Sequence, residues 1–319
     1  MQSIERARRR LKLRDLHILL VVALRGSMAK AAAELAISQP AVSRAIAEME
    51  QELGLRLLDR GRNGIEPTAY GRALIKRGVT IFDELTQGLQ ELEFLADPTI
   101  GQLRIGSSES VAAGLLPAVI DRFSRQHPGI RLNVSQTVLS TTHYRELRER
   151  NIDLLLGWIP TPFAEEDLVA ERVLKDPSGV VVGRQSKWAR FSRLNLADLA
   201  DETWILPPPD TFPGSATANL FRESGLNMPC TPLTTLSIHL CCRLAATGRF
   251  VTLLPSSIVR FSGRDLSLKM LPIKLPRRPP VQVAIVTLKN RTLSPAAETF
   301  IECVREVSKS MVDKPRVRK

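Results

Sequence analysis

The apolar positions near the N-terminus fall on a helical period. Leu16, Leu19, Leu20 and Ala23 recur at i, i+3, i+4 and i+7, one face of a helix that stops near Arg25-Gly26. Ser27 is placed to cap a second, short helix that carries Met28, Ala31, Ala32 and Leu35 on one side. Its run Ala31-Ala32-Ala33 has only methyl side chains, which lets a crossing helix approach closely. Ser38 then caps a third helix with Pro40 in its first turn, where a missing N–H costs nothing. Val42, Ile46, Met49 and Leu53 continue the apolar stripe and Gly54 ends it. Two helices joined by so tight a turn predict a helix-turn-helix.

The polar side of the third helix carries the candidate chemistry. Gln39 projects with Ser43, and Pro40 with Arg44, from its N-terminal half. Amide, hydroxyl and guanidinium groups read base edges in a major groove, and a helix N-terminus favours nearby phosphate. Glu48, Glu50 and Glu52 follow, where carboxylates would meet phosphate unfavourably, so the N-terminal half is the part predicted to enter the groove. Next, Arg56 to Asp59 alternates like a strand and Asn63-Gly64 is a hairpin-turn pair. Arg60 and Arg62 therefore ride on a small wing, placed to grip the DNA backbone or minor groove. With Ser27 and Ser38 at the two helix starts, these residues form the candidate DNA-contacting set.

Thr68 is a candidate N-cap, and no proline interrupts Ala69 to Ala96, a helix of about 40 Å at 1.5 Å per residue. Leu74, Gly78, Ile81, Leu85, Gly88, Leu92 and Leu95 form a heptad seam. The seam serves either packing within the chain or pairing with another subunit. Asp97-Pro98 ends the helix. Strands at Gln102–Gly106, Ile130–Val138 and Ile152–Gly157 then alternate with helices near Leu115–Gln126 and Thr141–Arg150. Such alternation predicts an α/β sheet with parallel strands, whose ligands bind beyond the strands' C-terminal ends. A second run occupies roughly Leu168 to Phe261, strand-like at Gly179–Val182, Thr203–Leu206 and Phe250–Leu254.

Hydroxyls gather at those strand ends. Ser107, Ser108 and Ser110 follow the first strand, and Ser140, Thr141 and Thr142 follow the second. With free N–H groups at two converging helix starts they suit a carboxylate, a phosphate or a polar oxygen, although serines at such positions also act simply as caps.

Composition narrows the function. The chain has 319 residues, 44% hydrophobic, enough for two or three compact units, which excludes wholesale disorder and collagen-like chains. Lys plus Arg number 45 against 33 Asp plus Glu, a net charge of +12, and clustered basic residues bind polyanions by releasing their counterions. Residues 98–319 alone hold 30 basic against 20 acidic side chains, which favours an anionic effector. The cysteines, at 230, 241, 242 and 303, form neither a disulfide framework nor a zinc pair, as expected in a reducing compartment. Cys230, Cys241 and Cys242 nevertheless admit a redox switch as a rival form of control, although Cys241 and Cys242 lie in a Leu- and Ala-rich helical run where small buried thiols are common.

Other classes are disfavoured. Arg6, Arg8, Arg9 and Arg10 precede the apolar run Leu16 to Leu24 as in a signal peptide, but His17 interrupts it, Arg25 follows it, and it is too short to span a bilayer. No nucleotide-binding glycine loop, HExxH or GxSxG occurs, and His17, His127, His143 and His239 are dispersed, so neither an enzyme nor a metal site is expected. A protein that merely coats DNA is separated from a regulator by sequence specificity.

The stretch Gly26-Ser27-Met28-Ala29-Lys30-Ala31-Ala32-Ala33-Glu34-Leu35-Ala36-Ile37-Ser38-Gln39-Pro40-Ala41-Val42-Ser43-Arg44 resembles the signature of LysR-type transcriptional regulators. Glu50, Leu53-Gly54, Leu57, Arg60 and, apart from its first residue, Pro67-Thr68 with Gly71 fit as well. His17-Ile18, Leu58 and Pro67 depart from the usual pattern, in packing rather than groove-facing positions. The resemblance implies a winged helix-turn-helix over 1–67, a linker and dimerisation helix over 68–97, and an effector domain over 98–319 similar to periplasmic solute-binding proteins. Lobe I would take about 98–166 and 267–319, including Gln282–Leu288 and the helix Pro295–Val312, and lobe II about 167–266. Ser110 and Ser140 correspond best to the family's effector-contacting hydroxyls. Ser108, Thr141, Pro207, Phe212 and Ser237 complete that candidate set, with Pro207–Phe212 and Ser237–His239 as the second lobe's loops. The implied partners are double-stranded DNA, a small-molecule effector and further copies of the chain as a dimer of dimers. No other cofactor is implied, RNA polymerase is admitted as a contact, and the location is the cytoplasm.

Overall fold

The computed structural model describes residues 10–61, 64–137, 144–229, 231–262, 265–276 and 282–313, with backbone only at Arg60, Phe212, Ser262 and 311–313. The chain divides into two compact units, 1–88 and 89–319.

In the first unit, α1 (Leu13–Arg25), α2 (Met28–Glu34) and α3 (Gln39–Leu53) close around Leu16, Leu19, Val22, Ala31, Val42 and Ile46, all essentially inaccessible to solvent. The caps form where the sequence places them. Ser27 Oγ accepts from Lys30 N, and Ser38 Oγ accepts from Ala41 N at 3.3 Å. Gly26 and Gly54 end their helices at φ 61° and 66°, the left-handed region that favours glycine. The wing is the antiparallel pair β1 (Leu58–Gly61) and β2 (Gly64–Pro67), with Leu58 opposite Pro67.

This strand begins two residues later than the alternation predicts. Leu57 and Leu58 are both buried, and the Glu50 carboxylate accepts from both of their N–H groups, at 2.7 and 3.1 Å. That approach segment precedes the ladder. Thr68 Oγ1 accepts from Gly71 N at 3.0 Å and donates to Arg56 O at 2.8 Å, starting α4 (Ala69–Ala96). Gly71 is required there: a Cβ would stand 2.0 Å from Leu57 O.

The seam of α4 divides in two. Leu74 packs on the helical core and Gly78 lies against Leu16 and Leu20, whereas Ile81, Leu85, Leu92 and Leu95 are exposed, with Leu89 beside them.

The second unit has two five-stranded sheets. In the first, β3 (Ile100–Ser107) pairs parallel with β4 (Gly129–Gln136) and β5 (Leu154–Ile159), and β12 (Gln282–Leu288) pairs antiparallel with β5 and with β6 (Leu168–Lys175). α5 (Glu109–Ala113) and α6 (Leu115–Gln126) lead from β3 towards β4, α7 (Arg145–Arg148) precedes β5, and α11 (Pro295–Asp313) buries Phe300 and Val304 in the same core. Asp153, just before β5, holds Arg104 at 2.6 Å and the buried Arg291 at 2.7 Å, which ties the sheet to the segment after β12.

The second sheet has the order β11 (Leu268–Met270), β7 (Ser178–Gly183), β10 (Val251–Pro255), β8 (Trp204–Leu206) and β9 (Leu233–Thr234). Its helices are α8 (Phe212–Glu223), α9 (Ile238–Ala246) and α10 (Ser256–Ser262).

Both expected lobe boundaries move. Residues 168–175, assigned to lobe II, form β6 of the first sheet, and 268–270, assigned to lobe I, form β11 of the second. β6 lies at the sheet's edge, with buried and exposed positions out of alternation, so its pattern resembles a connection. Of the predicted helix at 141–150, residues 141–143 lie outside the described ones, and the described part is helical at Arg145–Arg148. Among the described residues no single helix is long and apolar enough to cross a membrane.

Candidate functional site

Helix α3 is fixed from one side. Val42, Ala45, Ile46 and Met49 are buried, Gln39, Pro40 and Arg44 are exposed, and Ser43 is half-buried at the margin. Among the described residues the Gln39, Ser43 and Arg44 side chains have no hydrogen-bond or ion-pair partner. The Ser27 and Ser38 hydroxyls, in contrast, are engaged as caps. Arg60 lies on β1 opposite Ile65, and Arg62 lies outside the described residues. The acidic side chains are partly engaged: Glu52 accepts from Arg10 at 2.8 Å, Glu34 pairs with Arg25, and Glu50 holds the wing. Glu50's role escapes a pattern reading because its partners lie across a turn. The surface left open at the start of α3 is thus an amide, a hydroxyl and a guanidinium beside a helix N-terminus, a set that can pair with base edges and phosphate.

The second site is a cavity of about 1530 Å³ lined from both sheets of the second unit. Ser108 and Ser110, at the end of β3, line it with buried hydroxyls 3.4 Å apart. Ser107 is excluded, since its hydroxyl hydrogen-bonds Leu156 O at 3.2 Å. Thr137, one residue past β4, and Trp158, in β5, also line the cavity. They are only 8% and 9% exposed, and among the described residues neither Thr137 Oγ1 nor Trp158 Nε1 has a hydrogen-bond partner. Both escaped the sequence reading, although the rule that strand ends face ligand points to them.

Ser140 and Thr141 lie outside the described residues. Pro207 lines the cavity. Phe212 begins α8 and its side chain lies outside the described ones; its neighbour Pro213 lines the wall. Ser237 departs from its expected role. Its hydroxyl accepts from Leu240 N as the cap of α9 and donates to Glu109 Oε1, both at 3.3 Å, and the wall is formed by Leu236 and Ile238 instead. His239 N also donates to Glu109 Oε1, at 3.3 Å. Glu109 therefore joins the first lobe to the start of α9, a bridge between residues 128 positions apart.

The described thiols are poorly placed for redox chemistry. Cys241, Cys242 and Cys303 are free and buried, and burial pushes the Cys242 thiol up to about 11, with Cys241 and Glu109 adding to the shift. Cys230 lies outside the described residues. Among the described residues no group of three or more His, Cys, Asp or Glu is placed to hold a metal ion.

A winged helix-turn-helix carrying a two-lobed domain with an interlobe cavity defines a ligand-responsive DNA-binding regulator. The chain matches the bacterial regulatory helix-turn-helix protein, lysR family, over residues 13–72 and the LysR substrate binding domain over 96–309, and it belongs to the LysR family of transcriptional regulators. It is 29% identical over 301 residues to the HTH-type transcriptional regulator GbpR of Azospirillum brasilense, covering 94% of this chain and 87% of that one. To the transcriptional dual regulator GltC of Bacillus subtilis it is 28% identical over 265 residues, covering 83% and 86%. Among solved structures, CbnR, a LysR family transcriptional regulator, aligns with a TM-score of 0.60 at 21% identity over 93% of this chain and 99% of its own. Full-length OxyR from Pseudomonas aeruginosa aligns with a TM-score of 0.61 at 19% identity over 94% and 95%. At these identities the structural likeness concerns the fold.

Proposed function

We propose that this LysR-type regulator recognises its promoter through Gln39, Ser43 and Arg44 in the major groove, with Pro40 in the same turn, Ser27 and Ser38 at the helix starts, and Arg60 and Arg62 on the backbone or minor groove. The observation that carries this reading is the set of three unpartnered side chains on a helix whose opposite face is buried. Related structures include full-length CbnR complexed with its target DNA, at 21% identity and a TM-score of 0.53.

A small molecule in the interlobe cavity, held by Ser108, Ser110, Ser140 and Thr141 and covered from Pro207, from the start of α8 at Phe212 and from Leu236 and Ile238 at the start of α9, would control this binding. It acts by favouring one arrangement of the lobes, which biases the regulator between two DNA-bound states. The exposed half of the α4 seam pairs with its counterpart in a second copy, the first step toward a dimer of dimers in the cytoplasm that contacts RNA polymerase.

Footprinting on the DNA upstream of its own and neighbouring genes, with and without metabolites, tests the reading. Binding to a promoter fragment should exceed binding to random duplex at equal salt, and equal affinity would identify a DNA-coating protein. Ser110→Ala with Ser140→Ala should abolish the effector response and leave DNA binding intact. A normal response would remove both serines from the site.

A further inference from the structure

We infer that the effector presents an uncharged hydrogen-bond-accepting head group, such as an amide or ketone oxygen, and that Glu109 discriminates against a carboxylate or phosphate in its place. This rests on reading the interlobe cavity as the effector site.

The first observation is the pair of polar atoms without partners. Trp158 Nε1–H can only donate, and Thr137 Oγ1–H can donate. Thr137 and Trp158 both line the cavity, their Oγ1 and Nε1 atoms are buried just behind its surface with no partner among the described residues, and a buried donor left without an acceptor is unfavourable, so a ligand oxygen reaching them would be favoured. Ser108 and Ser110 share one hydrogen bond, which leaves one hydroxyl proton for a ligand. The described polar groups of the first lobe around this end therefore ask for an acceptor oxygen.

The second observation is charge. A helix of nine residues starts at Ile238, and its N-terminus is the natural seat for a ligand anion in this cavity. It is already taken by the chain's own carboxylate, since Glu109 Oε1 accepts from Ser237 Oγ and His239 N. Glu109 lies between Ser108 and Ser110 in the chain, so an acceptor bound by those hydroxyls lies beside a fixed negative charge that the helix end offsets only in part. Along the described wall, Arg193 and Lys274 are outnumbered by Glu109, Asp198 and Glu223. Among the described lining residues the basic excess of 98–319 is thus absent, and an anionic group beside Glu109 meets an unfavourable field from them.

The test is calorimetric titration of the full-length protein with isosteric amide and carboxylate pairs, namely benzamide and benzoate, nicotinamide and nicotinate, and succinamide and succinate. For a pair that binds, the amide should bind the unaltered protein about tenfold more tightly than the carboxylate, and Glu109→Gln should narrow that ratio to about threefold or less. Glu109→Gln keeps the shape and one acceptor oxygen, so its thermal melt should match that of the unaltered protein. Thr137→Val with Trp158→Phe should weaken both members of the pair. A carboxylate that binds the unaltered protein as tightly as its amide, and is lost in the Thr137 and Trp158 variant, overturns this inference and leaves the cavity reading standing. Binding that this double variant does not change places the ligand outside the cavity and overturns both.

Discussion

The reading helix and the interlobe cavity prepare polar groups in opposite ways. On α3 the groups without partners among the described residues are Gln39 and Arg44, which stand in solvent, and the half-buried Ser43, whereas Ser27 and Ser38 are engaged as helix caps. In the cavity, Thr137 Oγ1 and Trp158 Nε1 are buried and still lack partners. A surface that meets a large hydrated polyanion can leave its donors in water until contact, because phosphate attraction assembles the complex. A site for a small molecule holds its donors dehydrated beforehand, at a cost in stability that the ligand relieves.

Substitutions should separate the two regions. The largest effect is expected from Gly71→Ala, where the added carbon would stand 2.0 Å from Leu57 O. It should destabilise the protein by about 3 kcal/mol in urea unfolding followed by circular dichroism. Glu50→Ala removes an acceptor from the Leu57 and Leu58 N–H groups and should cost about 2 kcal/mol in the same assay. Ser38→Ala removes only the cap on Ala41 N and should cost about 1 kcal/mol.

In the cavity the sign changes. Thr137→Val deletes a hydroxyl that has no partner, so stability should stay level or rise by up to about 1 kcal/mol while the effector response weakens. A loss comparable to that of Glu50→Ala would show that the hydroxyl is bonded within the fold, and the contrast would fail.

The thiols sharpen the contrast at its smallest scale. Burial raises the Cys242 thiol from about 9 in the unfolded chain to about 11. The stability contributed by the neutral thiol is therefore full below about pH 9 and is lost as the pH rises towards about 11. At neutral pH iodoacetamide should leave Cys241 and Cys242 unmodified in the folded protein, and peroxide should leave the DNA footprint unchanged.

What the sequence discloses follows from how local each signal is. Ser27, Ser38 and Thr68 act within three or four residues of themselves, and their caps form where the pattern places them. The start and end of α4 are equally local and match the expectations, whereas the segment that forms β12 is placed by the family resemblance and not by a local signal. Ser108 and Ser110 were legible because a strand end faces the cavity. The roles of Glu50, Glu109, Thr137 and Trp158 are not legible in the pattern, since Glu50 meets its partners across a turn and the settings of the other three depend on the tertiary fold. Ser237 was misread for the same reason: its hydroxyl meets Glu109 rather than the cavity. β6 was placed in the wrong lobe because an edge strand with irregular burial looks like a loop.

The central claim is that the start of α3 reads bases. Affinities of the unaltered protein and Arg44→Ala for a promoter fragment and for random duplex, measured at one fixed salt concentration, test it most directly. A loss of about 1–3 kcal/mol on the promoter, relaxed preference at one base position and little change on random duplex are expected. An equal loss on both would assign Arg44 to phosphate and contradict it.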